Sequence, residues 1–188
     1  MPVNQLILCP ERPELVPSDT AALLQRLHAI GFIADTLTFE GREHYRPGED
    51  FLQLITFLGC SPVVALGEPG ATGDEFCHIQ FDGPSAKPQF IAGSNVKVPR
   101  CPGCGHRLEQ WQPVIEAWQE NAEHVWRCPE CGNEYSPTLL RWRQCAGFGR
   151  YFITVWGVFE GEAVPSEELL NALRELSGFD WRYFYVRT

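Results

Sequence analysis

Two pentapeptides near the middle of the chain are near copies of each other: Cys101-Pro102-Gly103-Cys104-Gly105 and Cys128-Pro129-Glu130-Cys131-Gly132. Two residues between cysteines let both thiolates of one tight turn reach the same ion. A glycine after the second cysteine permits the backbone geometry that aims amide N–H groups at sulfur. Twenty-three residues separate Cys104 from Cys128, enough for the chain to run out and back. The pattern predicts a tetrahedral four-thiolate metal site on Cys101, Cys104, Cys128 and Cys131. One zinc ion is the expected occupant, and iron, which suits the same thiolates, stays the alternative. The expected role is structural. A catalytic zinc keeps one position open for water, whereas four cysteines close the shell and leave a negatively charged site that is a poor Lewis acid. Arg100, Arg107 and Arg127 lie beside the ligands and can offset that charge.

The two C-P-x-C-G turns resemble those of zinc-ribbon, or rubredoxin-like, modules, and the resemblance covers about residues 97–143. It implies a small antiparallel sheet clasped by the metal. The segment between the turns is longer than in the shortest ribbons, and residues 113–119 read as a helical turn. The rest of the chain carries no family signature.

The other residues with chemistry to offer are scattered. His106 and His124 flank the cysteine turns but are not needed as ligands. Cys9, Cys60, Cys77 and Cys145 read as small buried hydrophobes, since a nucleophilic thiol needs a depressed pKa and a base at hand. Cys77-His78 is an adjacent pair, but neighbours along a strand point to opposite faces. Glu160 and Glu162 precede the last helix and read as solvated loop acids, Glu162 being a possible acid or base only with a partner in space. There is no phosphate-binding G-x-x-x-x-G-K-[ST] run, no G-x-G-x-x-G after a strand and no G-x-S-x-G elbow. No catalytic residue is assigned and the balance leans away from an enzyme; the alternative is an enzyme with its site in a polar pocket of the α/β part, near Cys9, Cys60 or Glu162.

Charge narrows the partners. The 188 residues carry a formal net charge of −9. Residues 1–96 hold five Lys/Arg and twelve Asp/Glu, residues 97–150 seven and six, and residues 151–188 three and six. An acidic balance argues against duplex binding, which is driven by phosphate neutralisation. The exception is local: Arg141, Arg143 and Arg150 are interleaved with aromatics and would suit a nucleic-acid strand. A protein partner is the leading expectation, met by Trp111, Trp118, Trp126 or Trp142 on a rigid platform. Self-association is compatible with the aromatic load. No apolar stretch is long enough to span a bilayer and the start lacks a signal-peptide pattern, so a cytoplasmic location is expected.

The elements that must position the cysteines follow from periodicity. Residues 6–9 read as a buried strand, and a helix opens with Ser18 as its cap and Asp19 at the positive end of its dipole, placing Leu23, Leu27 and Ile30 on one face. Strands are predicted over 32–39, 63–66 and 76–81, a short one near Phe90, a loop over 42–48, and a helix over 51–58. Glu68 to Glu75 reads as turn material. Residues 151–159, a helix opened by Pro165-Ser166-Glu167-Glu168 with Leu169, Leu170, Leu173 and Leu176 as its stripe, and residues 181–186 form a β-α-β unit. The fold class is α+β (α/β), a mixed sheet with flanking helices interrupted by a four-cysteine zinc ribbon. Residues 1–96 are its first part, 97–146 the insert, and 147–188 the unit that completes it.

Overall fold

The computed structural model describes residues 3–58, 64–66 and 76–188. In chain order come β1 (Asn4–Pro10), α1 (Thr20–Ala29), β2 (Ile33–Phe39), β3 (Arg42–Pro47), α2 (Phe51–Leu54) and β4 (Ile55–Phe57). Then follow β5 (His78–Asp82), β6 (Gln89–Ala92), α3 (Gln112–Glu120), β7 (Trp126–Arg127) and β8 (Glu134–Tyr135). Last are β9 (Ala146–Gly149), β10 (Phe152–Trp156), β11 (Ala163–Pro165), α4 (Glu167–Ser177) and β12 (Trp181–Arg187).

Six strands form the main sheet in the order β12-β1-β10-β5-β3-β2, with every neighbouring pair antiparallel. With helices beside it, the protein is α+β, as the residue pattern predicts. β10 and β12 run parallel to each other but do not touch. β1 lies between them, Leu6 facing Val155 on one side and Tyr185 on the other. The C-terminal β-α-β unit is thus a split one.

One sheet face carries Leu6, Leu8, Ile79, Ile153 and Val155, which meet Leu23 and Leu27 of α1 and Leu169 and Leu173 of α4. All are almost fully buried, and each such side chain contributes about 1.5–3 kcal/mol relative to exposure. Asp19, not Ser18, caps α1, its carboxylate accepting the Ala22 N–H at 2.9 Å. Ser166 caps α4 by accepting from the Leu169 N–H at 3.2 Å. Leu176 departs from the expected stripe: the last turn of α4 leaves it 37% exposed.

Two elements differ from expectation. Residues 42–47 are a strand, not a loop, joined to β2 by a tight turn in which Glu40 and Gly41 have φ of 49° and 75°. That turn type suits a two-residue hairpin, and the charged residues of β3 hid its strand character. The helix expected over 51–58 stops at Leu54. Ile55 turns extended and pairs with Pro165 as β4 joins β11, the β-branched Ile55-Thr56 pair prevailing over the helical spacing. Of the strand expected at 63–66, residues 64–66 are described and lie in no ladder, while Val63, Cys60 and the turn at 68–75 fall outside the described residues.

The opposite sheet face holds two buried histidines. His44 and His78 are 3% and 1% exposed, with ring centroids 4.7 Å apart. His78 stacks between Phe76 and Trp156, and its Nδ1 lies 3.0 Å from the Phe76 carbonyl. Its Nε2 and the Nδ1 of His44 meet no hydrogen-bond partner among the described residues. Burial lowers the basicity of both rings, that of His78 to about 4. An unfolded histidine titrates near ~6.5. Between that pH and about 4, the unfolded chain therefore binds protons that the folded chain refuses. The contribution of His78 to stability is intact above the upper limit and is lost as pH falls through the window. The melting temperature should drop across this range, and a His78→Phe variant should flatten the drop; an unchanged acid limb would assign it elsewhere.

The chain leaves the main sheet after β5 and re-enters it beside β5, as β10. In between, β6 and β9 form a two-stranded ladder from Gln89↔Gly149 to Ala92↔Ala146. Ile91 of this ladder packs on Ile7, Cys9, Phe152, Phe184 and Val186. The approach is close enough that a Cβ on Gly147 would meet the Phe184 ring at 2.2 Å. Residues 93–145 extend from this ladder around a second core of Leu108, Ile115, Trp118, Trp126, Leu140 and Trp142, with Phe148 at its base.

Candidate metal centre

Each cysteine turn is held by a short antiparallel pairing. Arg100 bridges Arg107 across the first turn and Arg141 on its other side, while β7 pairs with β8 across the second. The two turns repeat one hydrogen-bond pattern. The Cys101 N–H donates to the His106 carbonyl at 2.8 Å and the Gly105 N–H to the Cys101 carbonyl at 3.0 Å. The Cys128 N–H donates to the Asn133 carbonyl and the Gly132 N–H to the Cys128 carbonyl, both at 2.9 Å. Gly105 and Gly132 have φ of 78° and 72°, the left-handed region that glycine enters without a side-chain clash. The helical turn expected between them is α3.

The four sulfurs lie within 4.8 Å of one another. Cys101 and Cys131 are 3.8 Å apart, and Cys104 and Cys128 are 3.6 Å apart. A tetrahedron with metal–sulfur bonds of about 2.3 Å has edges of about 3.8 Å, whereas a disulfide needs about 2.05 Å. The spacing fits a shared ion and not a pair of disulfides. Among the described residues no other group of three or more Cys, His, Asp or Glu converges this way. Cys101 and Cys128 are buried, Cys131 is half-buried and Cys104 is exposed.

Burial resists ionisation of Cys101, but the amides of Cys104 and Gly103 and the neighbouring thiols overcome it and bring the group down to about 6. The His106 amide favours the Cys104 thiolate. Burial and the thiols of Cys128, Cys101 and Cys131 outweigh it and push Cys104 up to about 12. Cys131 is raised in the same way, against the pull of the Asn133 amide. Cys101 ionises readily while Cys104 and Cys131 resist, so a dication that displaces their protons relieves the cluster.

The surrounding arginines brace the turns. Arg127 Nε donates to the Gly132 carbonyl at 3.2 Å, and Arg141 Nη2 to the Pro102 carbonyl at 2.6 Å. Arg107 pairs with Glu109 at 2.9 Å. The role of Arg141 in holding the first turn was not legible from its position in the chain. Arg150 donates to the Ser85 carbonyl at 2.7 Å, and Arg143 is exposed.

The tryptophans are not a presented platform. Trp118, Trp126 and Trp142 are 3%, 9% and 6% exposed and form the second core, with Trp111 packed at its margin. Few other apolar groups lie around the cysteine turns, so the largest ones turn inward. His106 and His124 stand outside the sulfur cluster. Cys145 donates to the Trp142 carbonyl at 2.6 Å and accepts from the Lys97 N–H at 3.1 Å. Cys9 and Cys77 are buried and their pKa values are raised by desolvation, that of Cys77 to about 12. Glu160 pairs with Lys97 at 3.5 Å, and Glu162 is exposed. A cleft of about 560 Å³ beside α1 is lined by Arg42, Glu43, Tyr45 and Asp82, but by neither Cys9 nor Glu162.

No family model matches the chain, and no similar protein was found among curated sequences or solved structures. Among the described residues no helix is long and apolar enough to cross a membrane.

Proposed function

We propose that residues 97–146 are a zinc ribbon inserted into the α+β domain, that one zinc ion holds it together, and that the protein serves as an interaction or scaffolding component for a protein partner. The observation that carries this reading is the closed sulfur set: four thiols within 4.8 Å, on two turns with matching backbone hydrogen bonds. Such a shell leaves no place for substrate or water, so the ion's contribution is to folding. Zinc is favoured over iron because it needs no redox partner and prefers tetrahedral thiolate sites. Thiolate ligands also need a reducing compartment, which makes the cytoplasm the proposed location. Arg141 and Arg150 are occupied with backbone carbonyls, which favours a protein partner over a nucleic-acid strand.

Elemental analysis of the purified full chain should find about one zinc per chain after gel filtration. Stoichiometric iron with a reversible redox couple would replace the structural reading with an electron-transfer one.

A further inference from the structure

β12 is an outer strand of the main sheet, with β1 on one side and an edge on the other. Native sheets usually cover such edges, because their unpaired N–H and C=O groups invite another strand. Here the cover is partial. The Tyr185 N–H donates to the Gln144 carbonyl at 2.9 Å, and Asn95 Nδ2 donates to the Tyr185 carbonyl at 3.0 Å. The Arg187 N–H donates to Asn95 Oδ1 at 3.1 Å, and its carbonyl accepts from the Ser94 N–H at 2.8 Å. Backbone groups two residues apart point the same way in a strand, so the N–H and C=O of Tyr183 leave by this same edge. No described residue takes them.

Beside Tyr183 lies a hollow of about 380 Å³. Leu140, Trp142, Leu170 and Trp181 give it apolar walls, and Arg143 and Arg182 give it charge. Among the described residues no acidic one lines it, in a chain whose net charge is −9. Arg143 is exposed and pairs with no described residue. Arg182 Nη2 donates to the Phe148 carbonyl at 3.2 Å and the guanidinium favours the Cys9 thiolate, while its buried Nε has no hydrogen-bond partner among the described residues. Arg143 and Gln144 have φ of 56° and 57°, a conformation that residues other than glycine rarely adopt. These two left-handed residues carry the Gln144 carbonyl to the β12 edge and bring Arg143 to the rim of the hollow.

We propose that this edge takes an extended peptide segment of a partner protein, added as a strand beside Tyr183 with an acidic side chain held by Arg143 and Arg182. The proposal rests on the interaction reading above and gives it a site and a partner chemistry. Main-chain hydrogen bonds supply affinity in such strand addition, and alternate side chains supply selectivity. Arg182 and Phe184 belong to one face of β12, and Trp181 and Tyr183 to the other. The added strand therefore carries its acid on one face and an apolar residue on the other.

The test is panning of a display library of randomised seven-residue peptides on the full metal-loaded chain, followed by fluorescence anisotropy of the enriched peptides. Enriched peptides should share an acidic residue flanked by apolar ones. Arg143→Asn, which tolerates the left-handed backbone, should weaken binding by about tenfold or more. A single backbone N-methyl on the peptide residue facing Tyr183 should abolish it. Failure to enrich any peptide, enrichment without acids, or binding indifferent to Arg143→Asn and to N-methylation would overturn the site. Metal content, measured on the same samples, keeps that failure separate from failure of the zinc reading. Peptides that bind while ignoring Arg143→Asn would leave the interaction reading standing and remove only this site.

Discussion

Cys128→Ser should abolish stoichiometric metal binding and unfold the lobe built on residues 93–145. Cys128 is 0% exposed, and its sulfur lies 3.6 Å from that of Cys104. A serine hydroxyl is a poor ligand where a thiolate is required, and it stays buried among sulfurs without a hydrogen-bond partner suited to it. Structural zinc contributes on the order of 10–16 kcal/mol in small metal-folded peptides, which matches or exceeds the ~5–15 kcal/mol that keeps a whole domain folded. Without it, a short helix, α3, a 3-10 turn over Pro137–Leu139 and the two-residue strands β7 and β8 are left to organise the second core. Helices of that length do not persist alone in water. Three of the tryptophans lie in this core, so near-ultraviolet circular dichroism should collapse and tryptophan emission shift red. Protease cleavage should concentrate within 93–145. A variant with normal metal content, or one that loses the metal but keeps the tryptophan signals, would remove the metal from its structural role.

Phe148→Ala separates packing from ligation. Phe148 is 0% exposed on β9, with ring centroids 4.9 Å from Phe90, 5.0 Å from Trp118 and 5.9 Å from Trp142. It joins the ladder that carries the lobe to the core that fills it. Removing a ring so enclosed costs about 3–5 kcal/mol, because the neighbours cannot collapse into the gap. For a chain of this size the melting temperature should fall on the order of 10 °C. Phe148 supplies no ligand atom, so about one metal per chain should remain. Calorimetry with elemental analysis on one sample checks both halves. A cost below about 1 kcal/mol would show that the ladder and the second core are not coupled through this residue.

The metal turns were readable in the chain because their chemistry is local. Two residues between cysteines and a glycine after each pair specify nearly the whole turn. The terminal helix was readable for the same reason, since Ser166, Leu169, Leu173 and Gly178 act within a few residues of one another. What escaped was non-local. β1 lies between β10 and β12, and nothing in residues 4–10 names partners so distant in the chain. Trp118, Trp126 and Trp142 were expected on a surface, and the second core, whose members come from distant parts of the chain, buries them. The strand at 42–47 was masked by its charges, although Glu40-Gly41 was a usable turn signal. His44 and His78 belong to the same class: burial of a histidine is decided by the strands beside it.

The central claim is a closed set of four sulfurs around one ion. X-ray absorption at the metal edge of the purified full chain tests it most directly. Zinc as the absorbing metal, with four sulfur scatterers at about 2.3 Å and no lighter atom in the first shell, is the predicted result. A shell containing oxygen or nitrogen, or fewer than four sulfurs, would contradict it.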